Sequence, residues 1–284
     1  MALAVEKLGT TFGRRVETVD PARSMAYAAA TNDDNPAYLD ATLAPPVFAV
    51  VPTWESMSEA LTAVVPPEMF LMIVHGEHDM HFHRPLAPGQ VLSTAAEAHS
   101  LRVGRSGTRY TMRVVSTDGA DGGGEPVLEQ YCTMFIRRMS EGADMGPDKP
   151  DHAFPGAARS APVGSWTVHV DEDQTYRYAE ASGDHNAIHL DAAVATGVGL
   201  PGIILHGLCT MAMTGQSVLR TVAGNDPARL RRLAVRFSRP VFPGNDVVTS
   251  IFDAGPAGDR HAYAFEAHSA GQLVISNGRA EIGP

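Results

Sequence analysis

Residues 27–40, YAAATNDDNPAYLD, align without a gap on residues 178–191, YAEASGDHNAIHLD, with about half the positions identical. Asp33, Asn35 and Asp40 recur as Asp184, Asn186 and Asp191. Farther along, HFHRPLAPG at 81–89 is matched by RFSRPVFPG at 236–244, in the same order and at nearly the same offset. One such match can arise by chance; two in order point to an internal duplication. No other feature constrains the chain as much, because each half must form the same kind of unit.

The two halves read alike. In the first, Asp20 precedes Pro21, an N-cap before a first-turn proline, and PARSMAYAAAT should be a short helix. NDDNPAYLD is a polar turn, and 53–65 read as a helix that Pro66 and Pro67 end. From Leu71 the period becomes that of strands. A strand leads to a turn at Pro88-Gly89, a hairpin covers 91–103 and 107–117, and VLEQYCTMFIRR is the last strand. Residues 139–163 are polar and rich in Gly, Pro and Ala, the composition of a linker. Beyond it the sequence predicts a strand at 166–170, a helix capped by Asp171 and running through Tyr178, and a helix near 206–222. RRLAVRFSRPVFPGN and two further strands complete the chain. Strands grouped beside a helix, with few βαβ crossovers, imply an α+β fold in which an antiparallel sheet wraps the helix. The expected division is 1–138, a linker at 139–163, and 164–284, the two halves packing as a pseudo-dimer.

Composition narrows the function. The 284 residues are 44% hydrophobic and 19% charged, which suits a packed core and not a disordered chain. A net charge of −10 argues against nucleic acid, whose phosphates need clustered Lys and Arg. The two cysteines, Cys132 and Cys209, stand in no disulfide or zinc spacing, and Cys209 is expected to be a small buried side chain. The start, MALAVEKLGTTFGRR, lacks a long apolar segment, and no apolar run of about 18 residues occurs, so neither a signal peptide nor a membrane span is expected. The default location is the cytoplasm.

The second copy of the repeat concentrates polar chemistry. Asp184, Asn186 and His189 fall within six residues, and His206-Gly207 follows a Gly/Pro-rich bend just before an apolar run. A carboxylate and an imidazole around one water can move protons in both directions. Taken alone, an Asp/Asn/Gly cluster is more often an Asx turn. A lone histidine is more often structural, and His-Gly can be a plain loop–helix junction. His75, His78, His81 and His83 have the look of metal ligands. The repeat sets His81 and His83 against Arg236 and Ser238, however, where no ligand pattern persists, so no metal is expected.

The long stretch YRYAEASGDHNAIHLD, followed by PGIILHGLCTMAM, resembles the signature of the MaoC-like dehydratases, the (R)-specific enoyl-CoA hydratases called hydratase 2. RFSRPVFPGN resembles the strand and turn that follow it in that family. The N-terminal half is similar to the degenerate partner domain of the double-hotdog members, so the resemblance covers nearly the whole chain. It implies two hotdog domains, each a curved antiparallel sheet around a long central helix. It also implies reversible syn addition of water to a trans-2-enoyl-CoA, giving a (3R)-3-hydroxyacyl-CoA. Asp184 and His189 would be the catalytic dyad, Asn186 would help hold the water, and the Gly207 N–H would be the oxyanion donor at a helix N-terminus. His206 would shape the pocket or bind near the thioester. Arg236 and Arg239, with Arg231 and Arg232 as further candidates, could meet the phosphates of coenzyme A, which enters as part of the substrate. No cofactor and no metal are implied. An acyl carrier protein is an alternative carrier, disfavoured somewhat by the acidic surface, and a homodimer is compatible with the family.

The first copy departs from the signature. Tyr38 stands where His189 does, and LAPPVFAVVPTW where the His-Gly pair would be. This half is expected to lack catalysis and to serve as lid and acyl pocket, through 44–54 and 69–74. In the second copy Ala187 replaces the family's usual Pro, which the first copy keeps as Pro36. That loss costs at most about 1 kcal/mol through the freedom of the unfolded chain. The rival readings are a hotdog thioesterase and a non-catalytic acyl-CoA binding module.

Overall fold

The computed structural model describes residues 2–159 and 161–284; Met1 and Ser160, the latter inside the expected linker, lie outside the described residues. The elements run β1 (Arg15–Thr18), α1 (Pro21–Ala30), α2 (Pro36–Leu39), α3 (Val50–Val64), β2 (Ile73–Phe82), β3 (Val91–Gly104), β4 (Gly107–Asp118) and β5 (Pro126–Arg137). They continue with β6 (Gly164–His169), α4 (Gln174–Ser182), α5 (Ala192–Gly197), α6 (Gly207–Val222), β7 (Leu230–Phe237), β8 (Asp246–Ala257), β9 (Arg260–Ser269) and β10 (Gln272–Ile282). Two units form. One holds the residues up to Thr18 with Pro52–Arg84 and Gln90–Asp151; the other holds Val19–Val51, Pro85–Gly89 and the residues from His152 on.

In the first unit the strands bond in the order β1-β3-β4-β5-β2, all antiparallel. Tyr110, Met112 and Val114 alternate along β4 and are fully buried, as a strand with one face on a core requires. They lie under α3, where the Tyr110 hydroxyl donates to the Ala60 carbonyl at 2.8 Å. The helix begins three residues before the expected 53. Pro52 is tolerated there because a first-turn residue needs no N–H partner.

In the second unit the order is β7-β10-β9-β8-β6, again antiparallel. Helix α6 is buried along nearly its whole length, from Leu208 to Leu219, the pattern of a helix enclosed by its sheet. A Cβ on Gly215 would lie 2.9 Å from Leu233 Cδ2 of β7, so glycine sets how closely helix and strand approach. Helices α1 and α4 pack on each other in this unit. Each unit thus sets a long helix against an antiparallel sheet, the α+β hotdog plan expected of a half.

Asp20 caps α1 as its place before Pro21 predicts, its Oδ1 accepting from the Arg23 N–H at 2.8 Å. Asp171, by contrast, does not cap α4 as expected. The cap position of α4 falls on Asp173, with no side-chain cap bond, and the Asp171 carboxylate is engaged by the Arg177 guanidinium instead. Helix α4 also runs on to Ser182. Past Asn245 there are three strands, not two, because Gly258 and Gly271 take left-handed turns at φ of +68° and +73° and fold the segment into successive hairpins. No described helix is long and apolar enough to cross a membrane.

Candidate active site

Helix α4 ends at Gly183, whose φ of +82° is a left-handed C-cap and swings the chain into the polar stretch. Two Asx turns follow. Asp184 Oδ1 accepts from the Asn186 N–H at 3.1 Å, and Asn186 Oδ1 accepts from the Ile188 N–H at 3.4 Å. A single 3-10 turn, Ala187–His189, then drops the His189 ring into the interior. The turn reading and the functional reading therefore coexist: the turns are what aim the imidazole.

His189 Nδ1 lies 2.7 Å from the Ile204 carbonyl. A carbonyl only accepts, so Nδ1 carries the proton and Nε2 presents a lone pair. His206 Nε2 lies 2.9 Å from the Asp184 carbonyl, so here the proton is on Nε2, and the buried Nδ1 has no hydrogen-bond partner among the described residues. The two rings stack at 3.8 Å with planes 27° apart, and Tyr178 packs on His206 at 4.8 Å. One ring nitrogen from each histidine and an Asp184 carboxylate oxygen all lie within 4.8 Å of one another. Burial lowers the pKa of His189, against the pull of the Ile204 bond and the Asp184 charge; burial and then the neighbouring His189 lower that of His206. Both rings are thus neutral near pH 7. Two neutral imidazoles and a carboxylate are also donors that could hold a divalent cation.

Gly207 opens α6, and the preceding His206 gives the helix no side-chain cap, so its first N–H groups are left for another acceptor. A Cβ on Gly207 would sit 3.3 Å from the Phe237 ring, which occupies the space a side chain would take. The structure brings Asp184, His189 and His206 together, with Gly207 next in the chain and Asn186 tied in through the Asp184 turn. Arg236 and Arg239 are exposed, and neither makes a hydrogen bond or ion pair to Asp184, His189 or His206 among the described residues. Arg232 is not available for phosphate, since it is buried and paired with Glu281 at 3.3 Å. Arg231 turns back onto the Ala228 carbonyl.

Sequence reasoning passed over Tyr178, although the repeat marks it by pairing it with Tyr27. The first copy forms the same turn, with the Asn35 N–H donating to Asp33 Oδ1 at 3.1 Å. Its Asp33 is buried, which pushes the carboxyl up to about 6. Beside it a small cavity, lined by Thr31, Asp33, Pro46, Val47, Gln216 and Leu233, has room for about one water molecule.

Comparison with known proteins agrees with this architecture. Residues 155–263 match the MaoC like domain, and residues 6–130 match the FAS1-like dehydratase domain region. A probable enoyl-CoA hydratase 2 of Dictyostelium discoideum is 27% identical over 75% of this chain and 71% of its own length. The peroxisomal multifunctional enzyme type 2 of Mus musculus is 30% identical over 84% of this chain, which spans about a third (32%) of that enzyme. A solved MaoC-like dehydratase from Phytophthora capsici superposes with a TM-score of 0.85 at 24% identity, over 98% of both chains. The chain thus carries a MaoC like domain in its second half and a FAS1-like dehydratase domain region in its first, on a double-hotdog fold shared along its length.

Proposed function

We propose that the protein catalyses reversible syn hydration of a trans-2-enoyl-CoA to a (3R)-3-hydroxyacyl-CoA, with Asp184 and His189 as the working pair. The observation that carries the reading is the His189–Ile204 hydrogen bond, which leaves Nε2 as the acceptor on a ring clustered with the Asp184 carboxylate. A water between them loses its proton to Nε2 as its oxygen bonds to C3. The electron pair of the double bond moves toward the thioester, and the oxygen that gains charge meets the Gly207 N–H at the α6 N-terminus. The imidazolium, held next to the Asp184 charge, then returns the proton to C2. Hydroxyl and hydrogen arrive from one side, which is syn addition, and the reverse steps eliminate water. Hydration moves no net electrons, so no redox cofactor is required.

Asn186 is assigned to the water through its amide, whose oxygen already caps Ile188. The bare Nδ1 of His206 is assigned to the substrate side. Arg236 and Arg239 are assigned to the coenzyme A phosphates, and the first half to enclosing the acyl chain. The relatives named as hydratases and the family models support this chemistry over thioester hydrolysis. The test is crotonyl-CoA: absorbance of the conjugated enoyl group should fall without release of free thiol, and chiral analysis should give the (R) alcohol. An (S) product, or thiol release with no change in conjugation, would overturn the reading.

A further inference from the structure

A second cluster of histidines lies in the first unit and shares no residue with the site described above. His75 and His78 are three apart on β2, an odd spacing that puts side chains on opposite faces of a regular strand. The β2–β5 register slips between His75 and Glu77, a bulge at Gly76 that counts one extra residue and turns both rings to the same face. His78 stands directly opposite Cys132 of β5. His75 Nε2 therefore lies 3.2 Å from His78 Nδ1 and 3.5 Å from Cys132 Sγ.

These separations are informative. A tetrahedral zinc, with Zn–N of about 2.0–2.1 Å and Zn–S of about 2.3 Å, has N···N edges of about 3.3–3.4 Å and N···S edges of about 3.6 Å. All three donor atoms fall within 4.8 Å of one another. The surroundings are those of a ligand set. His78 Nε2 is 3.0 Å from Gln130 Oε1, and Gln130 Nε2 donates to Thr53 Oγ1 at 3.0 Å, which fixes the amide so that its oxygen faces the ring. His78 then carries its proton on Nε2 and turns the Nδ1 lone pair toward the cluster, as outer hydrogen bonds do for metal-bound histidines. Burial keeps both rings neutral, the form that ligates, with pKa values pushed down to about 3 for His75 and about 4 for His78.

We propose that His75 Nε2, His78 Nδ1 and Cys132 Sγ form a zinc site, completed by water, that clamps β2 to β5. Binding releases the thiol proton, so affinity rises with pH.

The test uses the full-length protein, stripped with chelator under reducing conditions and titrated with Co²⁺ and then Zn²⁺. About one equivalent of Co²⁺ should produce a thiolate-to-cobalt charge-transfer band that Zn²⁺ abolishes. The Asp184, His189 and His206 group contains no thiolate and cannot give this band. The band should vanish in Cys132→Ser and persist in Cys209→Ser. Gln130→Leu should weaken Zn²⁺ binding by about 10–100-fold. Should Cys132→Ser fail to fold, His75→Gln decides: weakening of tenfold or more supports the site, and unchanged affinity overturns it. No thiolate band in the folded wild type, or a band unchanged in Cys132→Ser, likewise overturns it.

Discussion

Tyr27 and Tyr178 hold the same place in the two copies of the repeat, and their hydroxyls lie 3.0 Å apart in the buried packing of α1 against α4. The relationship extends outward in reciprocal pairs. Arg23 bonds to the Ala181 and Ser182 carbonyls at 2.8 Å each, and Gln174, its repeat partner, bonds back to the carbonyl of Ala30, the partner of Ala181. Asn32 and Gly183, also partners, both turn left-handed, at φ of +54° and +82°. The two copies of the turn are thus related by a local two-fold, and only one of them carries an imidazole.

Removing either hydroxyl strands the other in the interior. Tyr27→Phe and Tyr178→Phe should each lose about 1–3 kcal/mol of stability, while the double variant should lose less than the sum. Denaturant unfolding of all four proteins gives the coupling energy; additive losses would mean that the hydroxyls do not interact.

His189→Ala should lower kcat by about 10²–10⁴-fold with little change in KM, as expected of a proton-transfer group. Because burial lowers the His189 pKa from 6.5, the acid limb of the kcat–pH profile should lie below pH 6.5. Initial-rate assays from about pH 4 to about pH 8, a window that brackets the ordinary histidine value, locate that limb. A limb above pH 6.5 would remove His189 as the base.

Tyr38 takes the place of His189 in the first copy, and its buried hydroxyl has no partner among the described residues. Tyr38→Phe removes an unsatisfied polar group, so stability should rise by up to about 1 kcal/mol while turnover stays at the wild-type level. A loss of turnover like that of His189→Ala would show that the first copy takes part in the chemistry.

Gly207→Ala places a methyl group 3.3 Å from the Phe237 ring, tight enough that either the ring or the start of α6 must shift. A small displacement of an oxyanion donor should lower kcat about 10–100-fold. Pairing it with Phe237→Leu should restore part of the loss; no recovery would assign the effect to something other than this contact.

Acid should destabilise the fold through His75 and His78. Their folded-state pKa values, about 3 and about 4, lie below the unfolded 6.5, so the unfolded chain binds more protons as pH falls. Stability is fully present above pH 6.5 and is lost as pH falls from there to about 4 for His78 and about 3 for His75, at about 1.4 kcal/mol per pH unit for each histidine. Chelator-treated protein unfolded at pH 7 and pH 5 tests this, and His75→Gln with His78→Gln should flatten the slope.

The repeat, the Asp20 cap, the hairpin at 91–117 and the Asp184 turn were legible because each depends on residues a few positions apart. Alternation marks a strand, and an Asx side chain reaches its own backbone two residues on. Asp171 misled for the same reason in reverse, since a local cap rule lost to the Arg177 guanidinium. The tautomer of His189 lay out of reach, because it is set by a carbonyl 15 residues away. So did the pairing of His75 with Cys132, 57 positions apart, which depends on one bulge at Gly76. The sequence by itself determined a duplicated α+β chain with one complete and one incomplete polar motif. Only tertiary structure decided which lone pairs point where, because strand register and helix packing bring together groups that no local periodicity relates.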